Sequence, residues 1–486
     1  MKPNLLFITV DQMRYDCLSK LKHPVVETPN LDALAEKGVM FTSAYSATPT
    51  CIPARAAIMT GMSQRGHGRI GYEERIPWNY EHTLAGELAK SGYHTQCVGK
   101  MHVYPARNLC GFHNVVLHDG YLHHNRNKKD TPYGEHFDQV DDYLQWLRQN
   151  AGAELDITDL GLDCNASTVA RPWHLREQLH PTNWTVTQSI DFLRRRDPGK
   201  PFFLWTSFVR PHSPLDPPGA YWDLYADAEM PECPVGDWVN SEAAAAGGTG
   251  TTITRGIIPK RRLNRAQAAY YALITHLDDQ IGRLLDALQE YGLSDNTFII
   301  FTSDHGELLG DHHFFRKALP YEGSAKVPLI LFDPSGRLGL KRGSTVKQVV
   351  ELRDIMPTLL DAAGAALPQS VEGRSLLPLC RDSEAGDDWR TYLHGEHAYG
   401  ELSNHYVTDG KWKYIWFSQT GEEQLFHLEN DSSELSNLAE DIHFKDELQV
   451  WRARLILELT GREEGYIREG RLVTGIKPRS CLSHIL

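Results

Sequence analysis

The stretch Asn4–Val10, "NLLFITV", is an unbroken run of apolar and β-prone residues that ends in the polar pair Asp11-Gln12. A run without polar alternation is typical of a strand that is buried on both faces of a parallel sheet. The same pattern returns in three later stretches, Pro201–Val209, Asn296–Ser303 and Val327–Phe332. The sequence therefore predicts a sheet with these four strands in its interior.

Helical patterns lie between these strands, and the clearest covers Asn264–Tyr291. Its apolar residues recur at helical spacing, and Asn264 is the predicted N-cap. Strands that alternate with helices indicate a doubly wound, mostly parallel α/β sheet. In such folds the functional residues lie beyond the carboxyl ends of the strands, so the residues that follow each strand are the candidate site residues.

The pattern changes near residue 380, where short strands such as Lys411–Phe417 and a helix near Asp446–Leu459 begin. We predict a large α/β domain over residues 1–379 and a smaller α+β domain with a tail over residues 380–486. The polar tail packs either on the core or on a second subunit, which would make a homo-oligomer. The low-complexity stretch Ser241–Gly256 is predicted to be a loop near the mouth of the active site.

Composition limits the partners of the chain. The 486 residues carry a formal charge of −13, which argues against nucleic acid as the main partner because phosphate binding needs a basic surface. An anionic substrate must then be attracted by a local cluster of cations. The N-terminus does not read as a signal peptide, and no apolar run is long enough to cross a bilayer. Eight scattered cysteines without paired spacing favour reduced thiols and a cytoplasmic location.

Two strand ends carry ligand-type side chains. Asp11-Gln12 follows the first strand, and Asp304-His305 follows the strand Asn296–Ser303. Carboxylate and amide oxygens with an imidazole make a plausible site for a divalent cation. Each aspartate is equally consistent with a cap of the next helix, so these pairs alone leave both interpretations open.

The stretch Thr50–Gly61, "TCIPARAAIMTG", combines a thiol, a proline and a cation. Pro53 suits the first turn of a helix, which places Cys51 at or just before the helix N-terminus. The unpaired N–H groups and the positive end of the helix dipole stabilise an anion or a thiolate there. Arg55, one turn on, can add a bidentate contact to a tetrahedral oxyanion.

The pattern Cys51-x-Pro53-x-Arg55, followed by Thr60-Gly61, resembles the signature of the type I sulfatases of the alkaline phosphatase superfamily. In that family a maturating enzyme oxidises the cysteine to formylglycine. Other elements resemble the family in the same order: "GYHTQCVGKMH" with Lys100 and His102, "SFVRPHSPLDPP" with His212, and "TSDHGELLGDHHFFRKALP" with Lys317. The resemblance covers residues 3 to about 440 and implies an alkaline-phosphatase-like fold.

The resemblance also implies roles for individual residues. It makes Asp304 the base for the first attack, His212 the acid for the leaving alcohol and His102 the base that releases sulfate. The implied catalytic set is Cys51, Arg55, Lys100, His102, His212 and Lys317. The implied metal ligands are Asp11, Gln12, Cys51, Asp304 and His305.

The metal pairs depart from the commonest sulfatase pattern, which has Asp-Asp and Asp-Asn where this chain has Asp11-Gln12 and Asp304-His305. Calcium is expected from the resemblance, while manganese or magnesium is also credible because imidazole is a poor ligand for calcium. The same Gln and His occur in the related phosphonate monoester hydrolases and phosphodiesterases. That branch, however, lacks the Lys-x-His element seen here at Lys100 and His102.

The expected function is therefore hydrolysis of a sulfate monoester, with a sulfated sugar as the preferred substrate and an aryl or alkyl sulfate as the alternative. Residues 103–200, where the resemblance is weakest, are expected to select the alcohol. Two other functions stay open. One is a phosphonate or phosphodiester hydrolase on the same scaffold, and the other is a non-catalytic anion- or glycan-binding relative in which Cys51 is never matured.

Overall fold

The computed structural model describes residues 2–120, 140–381 and 388–486. Its strands are β1 (Asn4–Asp11), β2 (Val39–Phe41), β3 (Ala44–Tyr45), β4 (His94–Gly99), β5 (Asn114–Leu117), β6 (Phe202–Pro211), β7 (Thr297–Ser303), β8 (Leu329–Phe332), β9 (Ser344–Val346), β10 (Val350–Glu351), β11 (Leu393–His397), β12 (Asn404–Thr408), β13 (Trp412–Phe417), β14 (Glu423–His427), β15 (Ile467–Arg468) and β16 (Arg471–Leu472). Its α-helices are α1 (Pro29–Lys37), α2 (Cys51–Thr60), α3 (Gln64–His67), α4 (Leu84–Lys90), α5 (Tyr143–Ala151), α6 (Pro181–Arg195), α7 (Gly219–Tyr225), α8 (Ser241–Ala246), α9 (Lys260–Glu290), α10 (Glu322–Ala325), α11 (Ile355–Ala363), α12 (Leu377–Arg381) and α13 (Lys445–Leu459).

The large sheet has eight strands in the order β5-β4-β6-β1-β7-β8-β2-β9. Strand β1 lies in the interior and pairs in parallel with β6 and β7, while β8 runs antiparallel to both its neighbours. Alternate residues of β1 enter different cores: Leu5 and Phe7 pack on one face, and Leu6 and Ile8 on the other. Burial on both faces explains the unbroken apolar run, and the prediction of a mostly parallel α/β sheet is confirmed.

Helix α9 begins four residues earlier than predicted, because it starts at Lys260 and its N-cap is Pro259 rather than Asn264. The prediction of Asn264 as the cap was wrong. A tertiary contact supports the additional turn, since the Arg262 Nε donates to the Thr168 carbonyl at 2.8 Å. A pattern of apolar residues carries no information about such a contact.

The C-terminal part forms a four-stranded antiparallel sheet, β11-β12-β13-β14, and helix α13 packs against it. Its core includes Trp416, Leu425, Trp451 and Leu455. The predicted strand is confirmed as β13 and the predicted helix as α13, while the boundary at residue 380 stays a prediction.

The tail packs on the same chain. The Ile70 N–H donates to the Ser480 carbonyl at 2.9 Å, and the Leu482 N–H donates to the Gly68 carbonyl at 2.8 Å. Ile70 also pairs with the residue that directly follows β11, because the Ala398 N–H donates to the Ile70 carbonyl at 2.8 Å. Residues 68–71 are therefore held between the C-terminal sheet and the last residues of the chain.

The predicted loop Ser241–Gly256 contains a short helix, α8, so the prediction of a plain loop was wrong for its first residues. The Asn240 side chain accepts the Ala243 N–H at 2.9 Å and so caps that helix. Thr254, near the end of the stretch, lines a pocket that also contains His212 and Lys317. Over the described ranges, none of the helices combines the length and the apolar character needed to cross a bilayer.

Candidate active site

The turn after β1 places Asp11 and Gln12 at the carboxyl edge of the sheet. Gln12 adopts a left-handed backbone conformation with φ of 73°. Its N–H donates to Asp304 Oδ1 at 3.2 Å, and its carbonyl accepts the Tyr270 hydroxyl at 2.6 Å. The Met13 N–H also donates to the Ser303 hydroxyl at 2.9 Å. The ends of β1 and β7 are thus tied together, which brings the two predicted metal pairs to one place.

Four of the predicted metal ligands form a compact cluster. Asp11, Cys51, Asp304 and His305 each offer one ligand atom, all within 4.8 Å of one another, and all four side chains are fully buried. The His305 Nε2 lies 3.3 Å from Asp11 Oδ1 and 3.6 Å from Asp304 Oδ1. Gln12, the fifth predicted ligand, adjoins the cluster through its amide oxygen, which accepts Lys317 Nζ at 2.7 Å.

Helix α2 begins at Cys51, as predicted, and all ten of its residues are buried. The Cys51 Sγ lies 3.3 Å from His305 Nε2, 3.4 Å from Lys317 Nζ and 3.6 Å from Asp11 Oδ1. Burial and Asp11 would raise the pKa of the thiol, but Lys100, Lys317 and His305 outweigh them and lower it well below its usual value. This arrangement stabilises an anion at position 51.

Lys100 follows β4 directly and forms an ion pair with Asp11 Oδ2. Gly99 permits this approach, because its φ is 100° and a Cβ atom would lie 1.9 Å from the Ser207 carbonyl oxygen. Burial would raise the pKa of Asp11, but Lys100, His212, His305 and Lys317 together lower it well below its usual value. The aspartate is therefore a carboxylate in this site.

Arg55 is fully buried and is directed toward the metal cluster rather than toward solvent. Its Nε donates to Asp304 Oδ2 at 3.1 Å, while Nη1 donates to the Lys100 carbonyl at 2.6 Å and the Ser207 hydroxyl at 3.0 Å. Two of the three guanidinium nitrogens thus hold parts of the site in place, which the sequence pattern did not indicate.

The two predicted histidines, His212 and His102, have different neighbours. The His212 N–H donates to the Asp11 carbonyl at 3.0 Å, and its ring Nδ1 donates to the Ser213 carbonyl at 2.8 Å, which leaves Nε2 as the acceptor nitrogen. Burial and the charge of Lys317 lower the pKa of His212 well below its usual value. The His102 ring packs edge-on against Tyr72 with 5.9 Å between ring centroids.

The donor set fits a divalent cation. Burial and the charge of Asp11 raise the pKa of Asp304, as expected for two carboxylates that share a dry site. The charge of Asp304 also raises the pKa of His305 to about 9, against the effect of burial. Two carboxylates, an amide oxygen and an imidazole are a set that divalent cations accept, and a cation among them would relieve the repulsion between the carboxylates.

A pocket of about 390 Å³ opens beside this cluster and contains two of the predicted catalytic residues, His212 and Lys317. Several residues of its wall were missed by the sequence analysis. They are Thr50, Tyr72, Glu74, Arg316, Ala318, His397, Ala398, Tyr399 and Gly400, while Asn165 and Thr254 lie in stretches that were expected near the substrate.

Glu307 was also missed, although it directly follows Asp304-His305-Gly306 in a polar stretch that could have drawn attention to it. His397 had no such signal, since it lies in the C-terminal sheet at the end of β11. Burial lowers the pKa of His397 to about 3, so its imidazole is neutral in the pocket wall.

Comparisons with known proteins agree with this geometry. The sulfatase family model matches residues 3–365, and the model of the N-sulphoglucosamine sulphohydrolase C-terminal region matches residues 310–459. An arylsulfatase of Clostridium perfringens is 56% identical over 485 residues and covers 100% of both chains. A choline-sulfatase of Rhizobium meliloti is 30% identical over 453 residues, which are 90% of this chain and 83% of that protein.

Among solved structures, the phosphonate monoester hydrolase of Agrobacterium radiobacter superposes with a TM-score of 0.75 at 27% identity, over 94% of this chain and 95% of that chain. Fold and site therefore define an α/β hydrolase with the alkaline-phosphatase-like architecture that sulfatases and phosphonate hydrolases share. Within that class, the chain belongs to the sulfatase family, whose members hydrolyse sulfate esters.

Proposed function

We propose that this sulfatase cleaves sulfate monoesters with residue 51, in its formylglycine form, as the nucleophile and one divalent cation beside it. The observation that carries the proposal is the position of Cys51 at the start of α2. Its Sγ lies within 4.8 Å of ligand atoms of Asp11, Asp304 and His305 and 3.4 Å from Lys317 Nζ. The proposed nucleophile, metal site and cation for the substrate anion would then lie together at one buried point.

The residues that would hold the cation are Asp11, Gln12, Asp304 and His305, with residue 51 completing the set. Calcium remains our first choice, with manganese or magnesium as alternatives. The cation would lower the pKa of a hydroxyl at residue 51 and neutralise charge on the sulfate oxygens. The formylglycine hydrate would supply two hydroxyls, one that attacks sulfur and one that allows release of the sulfate.

Two lysine side chains, Lys100 and Lys317, would bind and orient the substrate anion. Lys317 and Lys100 both influence the charge at position 51, and each lies on a different loop after a strand. Charge-assisted contacts of this kind are strong in a buried site. Arg55 would act partly through Asp304, since its Nε donates to that carboxylate.

Proton transfer is assigned to three residues. Asp304 would accept the proton of the attacking hydroxyl, and its raised pKa suits a base. His212 would give a proton to the leaving alcohol. Lys317 contributes to its lowered pKa, so a sulfate that neutralises Lys317 would raise that pKa and favour the protonated ring. His102 would be the base for the release of sulfate.

The alcohol part of the substrate would lie in the pocket beside His212. The 56% identity to an arylsulfatase supports activity on aryl sulfates. A sulfated sugar stays our prediction for the substrate in the cell, since the pocket wall combines aromatic rings with polar groups, as carbohydrate sites do. The rings belong to Tyr72 and Tyr399, and the polar groups include Asn165 and Arg316.

Hydrolysis of phosphonate monoesters is the second candidate. The overlap with a phosphonate monoester hydrolase at a TM-score of 0.75 and 27% identity supports it. The pair Lys100 and His102 favours the sulfate, because the family resemblance implies that the phosphonate branch lacks this element. We further propose that a formylglycine-generating enzyme matures Cys51 and that the protein acts in the cytoplasm.

Two measurements on the purified enzyme test the proposal. The first compares kcat/KM for a nitrophenyl sulfate and a nitrophenyl phosphonate, and we expect the sulfate to be preferred. The second is a peptide mass for residue 51, prepared with and without a co-expressed maturating enzyme, and we expect activity to follow the fraction of formylglycine. A preference for the phosphonate, or full activity with unmodified cysteine, would contradict the proposal.

A further inference from the structure

Glu307 is a buried carboxylate, 3% exposed, that has no part in the mechanism above. Its Oε2 accepts the side-chain amide Nε2 of Gln12. Its Oε1 accepts the N–H groups of Leu309, at 2.9 Å, and of Arg316. We propose that Glu307 is a positioning residue that orients the Gln12 amide toward the cation and holds the loop that carries Lys317, an inference that rests on the proposed metal site.

The orientation of the Gln12 amide follows from its two neighbours. A carboxylate only accepts hydrogen bonds, so the NH₂ end of the amide must face Glu307. The opposite end then carries the oxygen, which accepts Lys317 Nζ at 2.7 Å. A metal ion binds the oxygen of an amide and not its NH₂ group. Glu307 thus holds the amide in the one orientation in which Gln12 can serve as a ligand.

The loop that carries Lys317 also depends on this carboxylate. Five non-glycine residues between positions 309 and 318 have left-handed φ values from 51° to 86°, a conformation that side chains rarely adopt. They are Leu309, His312, His313, Arg316 and Ala318. Glu307 Oε1 joins the start of this loop at Leu309 to its end at Arg316. One carboxyl group therefore connects the ligand Gln12 to the loop that presents Lys317.

The test uses the two sets of hydrogen bonds that the Glu307 carboxyl group accepts, one from the Gln12 amide and one from the loop N–H groups. Glu307→Gln keeps an oxygen for the two loop N–H groups but directs an NH₂ group at the NH₂ group of Gln12. The amide of Gln12 must then turn away, and we expect the dissociation constant for Mn²⁺ to rise by roughly 10- to 100-fold. The thermal unfolding midpoint of the metal-free protein should change little, because the loop contacts remain.

The double variant Gln12→Glu, Glu307→Gln restores a donor–acceptor pair with its direction reversed. Residue 307 then donates to residue 12, whose other carboxylate oxygen faces Lys317. We expect this variant to bind Mn²⁺ more tightly than Gln12→Glu alone, in which the carboxylates of residues 12 and 307 repel each other. The carboxylate added at position 12 is the same in both variants, so its charge cannot account for the difference. Glu434→Gln is the control, since Glu434 is a buried carboxylate that pairs with Lys413 at 2.9 Å, and we expect it to bind Mn²⁺ as the unaltered enzyme does.

The outcomes separate the two proposals. If the unaltered enzyme binds none of Ca²⁺, Mn²⁺ and Mg²⁺, the metal site is wrong and this inference falls with it. If it binds only Ca²⁺ or Mg²⁺, that ion takes the place of Mn²⁺ in every comparison. If it binds Mn²⁺ and Glu307→Gln binds equally well, only the positioning role is wrong. Should Glu307→Gln not fold, the double variant decides: a folded double variant that binds Mn²⁺ supports the role, and one that does not fold or does not bind overturns it.

Discussion

The inner and outer parts of the site are built differently. In the inner part the groups stand at the ends of β1, β4 and β7 and at the start of α2, and Asp11, Cys51, Lys100 and Asp304 are fully buried. In the outer part the pocket wall comes from connecting segments and from the C-terminal sheet, as with Tyr72, Asn165, His397 and Tyr399.

This difference separates two tasks. In the proposed mechanism the inner groups act on the ester group, which is the same in every sulfate ester. The wall would contact the part of the substrate that varies, and it can change without moving the strand ends. Changes in the inner part should therefore lower the rate on every substrate, and changes in the wall should alter the preference among substrates.

The largest effect is expected from Cys51→Ala, which removes the proposed nucleophile. It should lower kcat by about four orders of magnitude or more on every ester, because no other group can take over the attack. Steady-state rates on several sulfates measure this. Cys380→Ala is the matched control, as Cys380 is another buried thiol at 1% exposure but lies in the core. Retained activity in Cys51→Ala would show that residue 51 is not the nucleophile.

Removal of the cation should also act on all substrates. Dialysis against a chelator is expected to abolish turnover, because Asp11 and Asp304 would no longer be neutralised beside the substrate anion. Addition of Ca²⁺, Mn²⁺ or Mg²⁺ in turn should restore it, and the cation that restores most activity identifies the metal. Metal analysis that finds an empty site in a fully active sample would refute the metal proposal.

Lys100→Ala and Lys317→Ala should each lower kcat/KM by about 10- to 100-fold or more on every ester, because a charge-assisted contact of this kind is worth about 1.5–3 kcal/mol. Lys90→Ala is the control, since Lys90 is exposed on α4 and pairs with Glu87 at 2.7 Å. An unchanged kcat/KM for Lys317→Ala on all esters would place the sulfate elsewhere.

Tyr399→Ala tests the pocket wall and should change the preference among substrates rather than the rate on all of them. An aromatic contact is worth about 0.5–1.5 kcal/mol, so the ratio of kcat/KM for an aryl and a sugar sulfate should change by about two- to tenfold. The chemistry at residue 51 should be unaffected, which the metal affinity of the variant would verify. Equal losses on both substrates would mean that the wall also supports the inner groups.

The last prediction concerns how the free energy of unfolding depends on pH through Asp278, which does not line the pocket. Asp278 on α9 accepts the N–H groups of Asn30 at 2.9 Å and Leu31 at 2.8 Å, and burial raises its pKa from 3.8 to about 6. A raised pKa in the folded state means that the protonated form is favoured there. Its contribution to stability is therefore full below about pH 4 and is lost as the pH rises to about 6.

Asp278→Asn cannot lose a proton, so its free energy of unfolding should lack this decrease between about pH 4 and 6. Denaturant titrations at several pH values measure the difference from the unaltered protein. Activity per folded molecule should be unchanged, since the residue touches α1 and not the site. A pH dependence of stability identical to that of the unaltered protein would contradict the shift.

The sequence predicted the inner part well and the outer part poorly. Asp11, Cys51 and Asp304 stand directly at element ends that apolar runs and a helix-starting proline reveal, and parallel strand ends must meet at one edge. Residues 103–200 were expected to select the alcohol. Among the described residues of that range, Asn165 lines the pocket. Most of the wall comes from other parts of the chain, as with Tyr72, His397 and Tyr399. Those positions depend on how the C-terminal sheet docks, for which no local pattern exists.

The segment at residues 68–71, held between Ala398 and Ser480, has a consequence for synthesis on the ribosome. Translation delivers this segment long before its partners, because Ala398 and Ser480 follow it far along the sequence. We therefore expect Tyr72 and Glu74, which follow the segment directly, to settle later than the strand ends of the large sheet. A folding intermediate formed before the C-terminal sheet docks would keep the strand ends and residue 51 but would have an unfinished pocket wall.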